Sequence, residues 1–201
     1  MAQSYDLILK GATIVNHDGE GVRDLGLTGG RIAAIGKLSP GQAAETLDCR
    51  GLHVLPGVID TQVHFREPGL THKEDLETGS RAAVLGGVTA VFEMPNTDPL
   101  TVTREALADK LKRGHHRMHC DFAFFIGGTR ENTRELPQLE LLPGCAGVKV
   151  FMGSSTGSLL VEDDAGVREI LKNIRRRASF HSEDEYRLRE RKDLRVEGDP
   201  R

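Results

Sequence analysis

The stretch VTAVFEMPNT, residues 88–97, opens on five nearly unbroken apolar or β-branched residues and closes on Glu93 and Asn96 around a Met-Pro pair. A run so short and so apolar suits a strand covered on both faces, as in a parallel sheet. On either side of it the pattern turns helical: THKEDLETGSRAAVLGG (71–87) before it and TVTREALADKLKRG (101–114) after it. Thr71 and Glu74 have the spacing of a capping box, which places the first helix's start at Thr71.

The same rhythm extends in both directions. GVIDTQVHF (57–65) reads as the preceding strand, and HCDFAFFIGG (119–128) and AGVKVFMG (146–153) as later ones. TRENTRELPQLELLPG (129–144) is a Pro-broken helix, EDDAGVREILKNIRRRA (162–178) a longer one, and SFHSED (179–184) begins a further strand. Such alternation predicts an α/β fold with a parallel sheet and helical crossovers. Polar residues recur at the strand ends: His64 and Arg66, Glu93 and Asn96, Thr129 and Arg130, Lys149, His181. A (β/α)8 TIM-type barrel gathers those ends into one ring, whereas a dinucleotide-binding sheet calls for a G-x-G-x-x-G that does not follow the first strand. Four complete units and the opening of a fifth precede Arg201. A barrel takes eight units and about 250 residues, so the expectation is a barrel stopping after about half of them.

Residues 5–55 differ in texture. Short alternating runs punctuated by glycine, from YDLILKG to LHVLPG, predict a small N-terminal β-sandwich segment. Pro56-Gly57 marks the boundary, giving 1–55 for this segment and 56–201 for the half-barrel.

Bulk properties exclude several classes. The 201 residues carry a net charge of −3, which gives no global field for nucleic acid or an anionic membrane. The basic runs RRR (175–177) and RLRERK (187–192) are flanked or interleaved by acids and read as solvated helix faces. Three scattered cysteines form neither a disulfide framework nor a thiolate zinc site, and neither a leader nor a long apolar run is legible. A cytoplasmic protein is expected.

In IDTQVHFREPG (59–69), Gln62, His64 and Arg66 alternate onto one strand face. His64 is either an ordinary strand-end histidine or a metal ligand, with Asp60 near enough in sequence to orient it. Gln62 sits where a second ligand is expected. Lys149 lies between Val148 and Val150. It either snorkels out or faces a barrel interior, where its ammonium is costly, its amine is readily freed, and carbon dioxide can convert it to a metal-bridging carbamate. Arg66 offers a planar fork and Asn96 an amide donor for a substrate carboxylate.

The stretches PGVIDTQVHFREPG, HKEDLETGSRAAVLGGVTAVFEMPNT, AGVKVFMGSSTG and FHSED together resemble the first half of a dihydroorotase, within the amidohydrolase superfamily. The resemblance covers essentially the whole chain. It implies a zinc-dependent cyclic amidohydrolase of pyrimidine biosynthesis, opening dihydroorotate to carbamoyl aspartate, on a barrel with a sandwich built from both chain ends. It further implies one or two Zn2+ ions, with His64 in the D-x-H-x-H motif, Lys149 as the carboxylated bridge, His181 on the second ion, and Arg66 and Asn96 on the substrate carboxylate. MGSSTG (152–157) falls where such proteins have a loop over the site. Gln62 departs from the pattern and is a doubtful ligand, because a neutral amide binds zinc less well than imidazole. A later histidine and the proton-shuttle aspartate are missing from this sequence, so it is expected to be inactive alone, with open sheet edges. Two alternatives stand beside this reading: an allantoinase or hydantoinase type, and a non-catalytic partner of aspartate carbamoyltransferase. A homo-oligomer is also consistent with it.

Overall fold

The computed structural model describes residues 4–155, 157–194, 196 and 198. They fall into two compact units divided between Gly57 and Val58.

In the first unit, β1 (Tyr5–Asn16) lies between β2 (Gly19–Thr28), antiparallel to it, and the parallel strands β4 (Ala43–Asp48) and β5 (His53–Val54). β3 (Arg31–Gly36) pairs antiparallel with β2 through Gly29-Gly30, both at positive φ, as a type I′ hairpin turn requires. The glycine that breaks the YDLILKG run does not end a strand. β1 continues through it, with a register shift between Leu9 and Ala12. Ala12, Ile14, Leu25 and Cys49 form the small core. Asp24 is buried beside it and accepts hydrogen bonds from Lys10 Nζ and from the backbone N–H of Gly11 and Leu38.

The second unit is a sheet of five parallel strands in sequence order, β6 (Val58–Val63), β7 (Val88–Glu93), β8 (Asp121–Gly127), β9 (Cys145–Phe151) and β10 (Ala178–His181). The helices between them are α1 (Leu76–Leu85), α2 (Arg104–Gly114), the single turn α3 (Leu136–Leu139) and α4 (Asp164–Asn173); α5 (Glu185–Arg191) follows β10. This is the strand order of the opening half of a β/α barrel. Where the sequence predicts a helix from Thr71, α1 begins at Leu76. Its cap is Asp75, which accepts from Thr78 N, while Glu74 is drawn to the Thr78 hydroxyl instead of closing a box with Thr71. Thr103, Asp163 and Asp184 cap α2, α4 and α5 in the same way.

The outer strand face builds the core: Val91, Phe124, Ile126, Val148 and Val150 meet Leu76, Leu107, Leu136 and Ile170 from the helices. The RRR run is exposed, as expected, but it follows α4 instead of lying on a helix face, and its backbone serves the fold. The backbone N–H groups of Arg175 and Arg176 donate to the buried Glu140 carboxylate at 2.8 and 2.9 Å, tying α4's exit to α3. Glu67, 5% exposed, takes Arg117 in a two-pronged pair and the Leu76 N–H, anchoring the loop after β6 to the start of α1.

Candidate active site

The opposite strand face carries the polar residues. β6 has an irregular register against β7, with Asp60 opposite Val91 but Val63 opposite Glu93, so one extra residue is accommodated around Thr61-Gln62. A bulge of this kind re-aims side chains at a strand end. Asp60 turns its carboxylate back to the Gln62 N–H at 3.0 Å and is exposed, so it does not orient His64.

His64 Nδ1 lies 3.0 Å from Asn96 Oδ1. A carbonyl oxygen only accepts, so Nδ1 carries the proton and Nε2 presents a lone pair. Burial, reinforced by the nearby Arg66 guanidinium, holds the His64 pKa below the usual imidazole value. Arg66 itself sits at φ 64, in left-handed backbone. The loop that carries it packs against the loop that carries Asn96: Asp98 N donates to Pro68 O at 3.0 Å, and a Cβ on Gly69 would lie 2.2 Å from Asp98 O. Only glycine, here at φ +91, permits that approach.

Lys149 is 1% exposed. Its Nζ reaches Gln62 Oε1 at 3.4 Å and Ser179 Oγ at 3.5 Å, both longer than a good hydrogen bond, and lies 5.2 Å from the Phe151 ring centre. Desolvation lowers its pKa. The other side of Phe151's environment is His181, whose ring stacks at 5.9 Å between centroids. His181 Nε2 is buried without a hydrogen-bond partner. Glu183 Oε2 is 2.8 Å away, an ion-pair distance, but is not aligned for a hydrogen bond. Glu185 accepts from Ser154 N at 3.0 Å, strapping the MGSS loop to the segment after β10; Thr156 of that loop lies outside the described residues.

These positions answer the sequence expectations one by one. Gln62 meets Lys149, His64 meets Asn96, and Lys149 and His181 share Phe151. Asn96, read as a substrate donor, has its carbonyl committed to His64, which leaves its NH2 for a ligand. Thr129 and Arg130 do not join the group: Thr129 is buried and paired with Asn132, and Arg130 pairs with Asp163. Ser179, Phe151 and Glu183 were not singled out from sequence, and only the period-2 alternation placing Ser179 with His181 and Phe151 with Lys149 marks them.

The donor set fits a cation in part. His64 Nε2 presents a lone pair, His181 Nε2 is buried with Glu183 Oε2 2.8 Å away, and Lys149 is a buried amine with only long contacts. Gln62 supplies a neutral amide, and no three His, Cys, Asp or Glu side chains converge among the described residues. A metal centre therefore needs Lys149, or groups beyond those described, to complete it.

Residues 53–173 match the model of the amidohydrolase family. The chain is 41% identical over 177 residues to an allantoinase of Deinococcus radiodurans, covering 86% of this chain and 39% of that protein. To an allantoinase of Salmonella newport it is 40% identical over 152 residues, 75% of this chain and 33% of the relative. Among solved structures, the L-hydantoinase (dihydropyrimidinase) from Arthrobacter aurescens superposes with a TM-score of 0.88 at 30% identity, over 94% of this chain and 43% of that one. The D-hydantoinase from Thermus sp. gives 0.77 at 25% identity, again over 94% of this chain and 43% of that one. The chain thus spans well under half the length of the relatives it matches. They are named for allantoin and hydantoin, not dihydroorotate, so the narrower part of the sequence resemblance is unsupported by them while its superfamily stands.

Proposed function

Given that this chain belongs to the amidohydrolase family, we propose that it is part of a cyclic-ureide hydrolase of the allantoinase or hydantoinase type, opening a ring amide by addition of water. The observation that carries this reading is the 41% identity with an allantoinase across 86% of the chain. Support from the site lies in its inner face, where a buried lysine has only long contacts, His64 turns Nε2 away from Asn96, and His181 Nε2 meets only the Glu183 carboxylate, at 2.8 Å.

Zn2+ would be held by His64 Nε2, His181 Nε2 and Lys149, the last as a carbamate, with Gln62 a weaker neighbour. A cation there would supply Lewis acidity and draw down the pKa of water. The chain's own residues supply the rest. The Asn96 carbonyl fixes the His64 tautomer, and its NH2 donates to a ring oxygen of the substrate. The Arg66 guanidinium is near enough to His64 to lower its pKa and would attract a negative oxygen. Lys149, kept from water and poor in hydrogen bonds, is the amine most easily deprotonated on this face. No residue of this chain is assigned to the proton taken by the leaving ring nitrogen.

Arg66 and Asn96 favour one second reading, a substrate bearing a carboxylate, as dihydroorotate does. The deciding experiment is to assay the product of the complete coding sequence on allantoin, hydantoin and dihydroorotate, with metal content by elemental analysis. A kcat/KM for allantoin or hydantoin at least tenfold above that for dihydroorotate is expected, and the reverse order would establish the second reading. Neither turnover nor metal would leave the non-catalytic partner role.

A further inference from the structure

Outside the polar face lies one buried ion pair that the proposed chemistry does not use. Lys110 and Glu93 are 0% and 1% exposed, and they meet in a very short contact. Lys110 belongs to α2, at the spacing of its buried stripe (Leu107, Lys110, Leu111, Gly114), and Glu93 ends β7 two residues after buried Val91. Both point to the helix-facing side, away from Lys149. A pair so deep is seldom a source of stability, since desolvation offsets its attraction.

Its connections run to the candidate site. Lys110 Nζ also donates to Met94 O at 3.0 Å, and Met94 N donates to Val63 O at 3.0 Å. Glu93 is the register partner of Val63, the residue before His64, and the nearby Arg66 backbone N–H favours its charged form. Two residues past Met94, Asn96 holds His64 Nδ1. The ammonium therefore grips the end of β7 that leads into the turn whose far end fixes the imidazole.

We infer that Lys110, through Glu93 and the Met94 carbonyl, is a positioning residue that sets Asn96 against His64 and thereby keeps the His64 Nε2 lone pair turned to the site. That the site is a hydrolase's rests on the function proposed above; the positioning itself does not.

The test is the long-range 15N–1H NMR spectrum of the His64 ring, read at pH 8 where the imidazole is neutral. The parent protein should show the Nδ1–H tautomer, and Asn96→Ala should lose it. Lys110→Met with Glu93→Gln removes both charges together and avoids stranding one in the interior. Loss of Nδ1–H as the major form in this folded double variant, with Leu107→Ala as a destabilised control that retains it, is the expected result. A folded double variant with the parent tautomer overturns the inference. If the double variant does not fold, Lys110→Met alone carries the same reading, because burial raises the Glu93 carboxyl and removal of the ammonium that holds it down raises it further, toward the neutral form. Failure of both to fold makes the pair structural and also overturns the inference. Turnover plays no part in this readout, so an inactive parent refutes the proposed function without touching it.

Discussion

Replacing Lys149 by Met tests whether this lysine belongs to the fold or to the chemistry. The residue is 1% exposed, and its Nζ makes only two polar contacts, at 3.4 and 3.5 Å. An under-satisfied buried polar group costs roughly 1–3 kcal/mol. Methionine keeps the length of the side chain and a sulfur contact with Phe151 in place of the ammonium over that ring, an exchange of about 1 kcal/mol either way. The balance predicts that Lys149→Met stabilises the protein by about 1 kcal/mol, or about 2–4 °C in Tm for this size. Urea unfolding followed by circular dichroism at pH 7 with a chelator present measures it, provided m is unchanged. A second signature follows from the direction of the pKa shift. Burial lowers the folded-state pKa of Lys149 below 10.5, so between the two values the unfolded chain binds more protons and stability rises with pH. The variant should lack that part of the rise, while Lys110, also lowered by burial, contributes equally to both proteins. A loss of more than about 1 kcal/mol on substitution, or an identical pH slope, would make Lys149 a structural residue and refute the reasoning.

Other outcomes follow from the packing. Glu67→Ala should cost about 1–3 kcal/mol in urea unfolding, because it leaves the buried Leu76 N–H without its acceptor and removes the Arg117 pair. Hydrogen bonding to Arg117 and Leu76 outweighs burial and lowers the Glu67 pKa below 4.5; its stabilisation is therefore present above pH 4.5 and fades as pH falls through the folded value, a decline the variant should not share. Gly69→Ala should lose at least about 2 kcal/mol by thermal unfolding, since its Cβ meets Asp98 O and the φ of +91 is strained for any side chain. A neutral result there would mean that the Arg66 and Asn96 loops separate easily. Leu107→Ala, at a site 1% exposed, should cost about 2–5 kcal/mol in the same assay.

Alternation of apolar strands with helical spacing was enough to read the parallel sheet, because period 2 against period 3.6 is a property of neighbours in the chain. The same local logic put Lys149 on the face opposite Val148 and Val150 and located the Gly29-Gly30 turn, but it read a break at Gly11 that β1 runs through and a strand over His64 and Arg66, which lie beyond the end of β6. It misjudged the start of α1: Thr71 has the spacing of a box, but Glu67, fifty residues in sequence from its partner Arg117, anchors Leu76 and sets the helix there. Partners across the sheet were equally out of reach. Whether Gln62 faces Lys149 depends on a bulge that only pairing with β7 creates, and whether Asn96 is free for substrate depends on a histidine 32 residues earlier. Lys110 did leave a trace, a charge on the buried stripe of α2, yet nothing local says that Glu93 and Met94 wait beneath it. Short-range periodicity determines which face a residue takes. Which side chain it meets there is decided by long-range register and loop contact, and those are set when strands far apart in the chain come together.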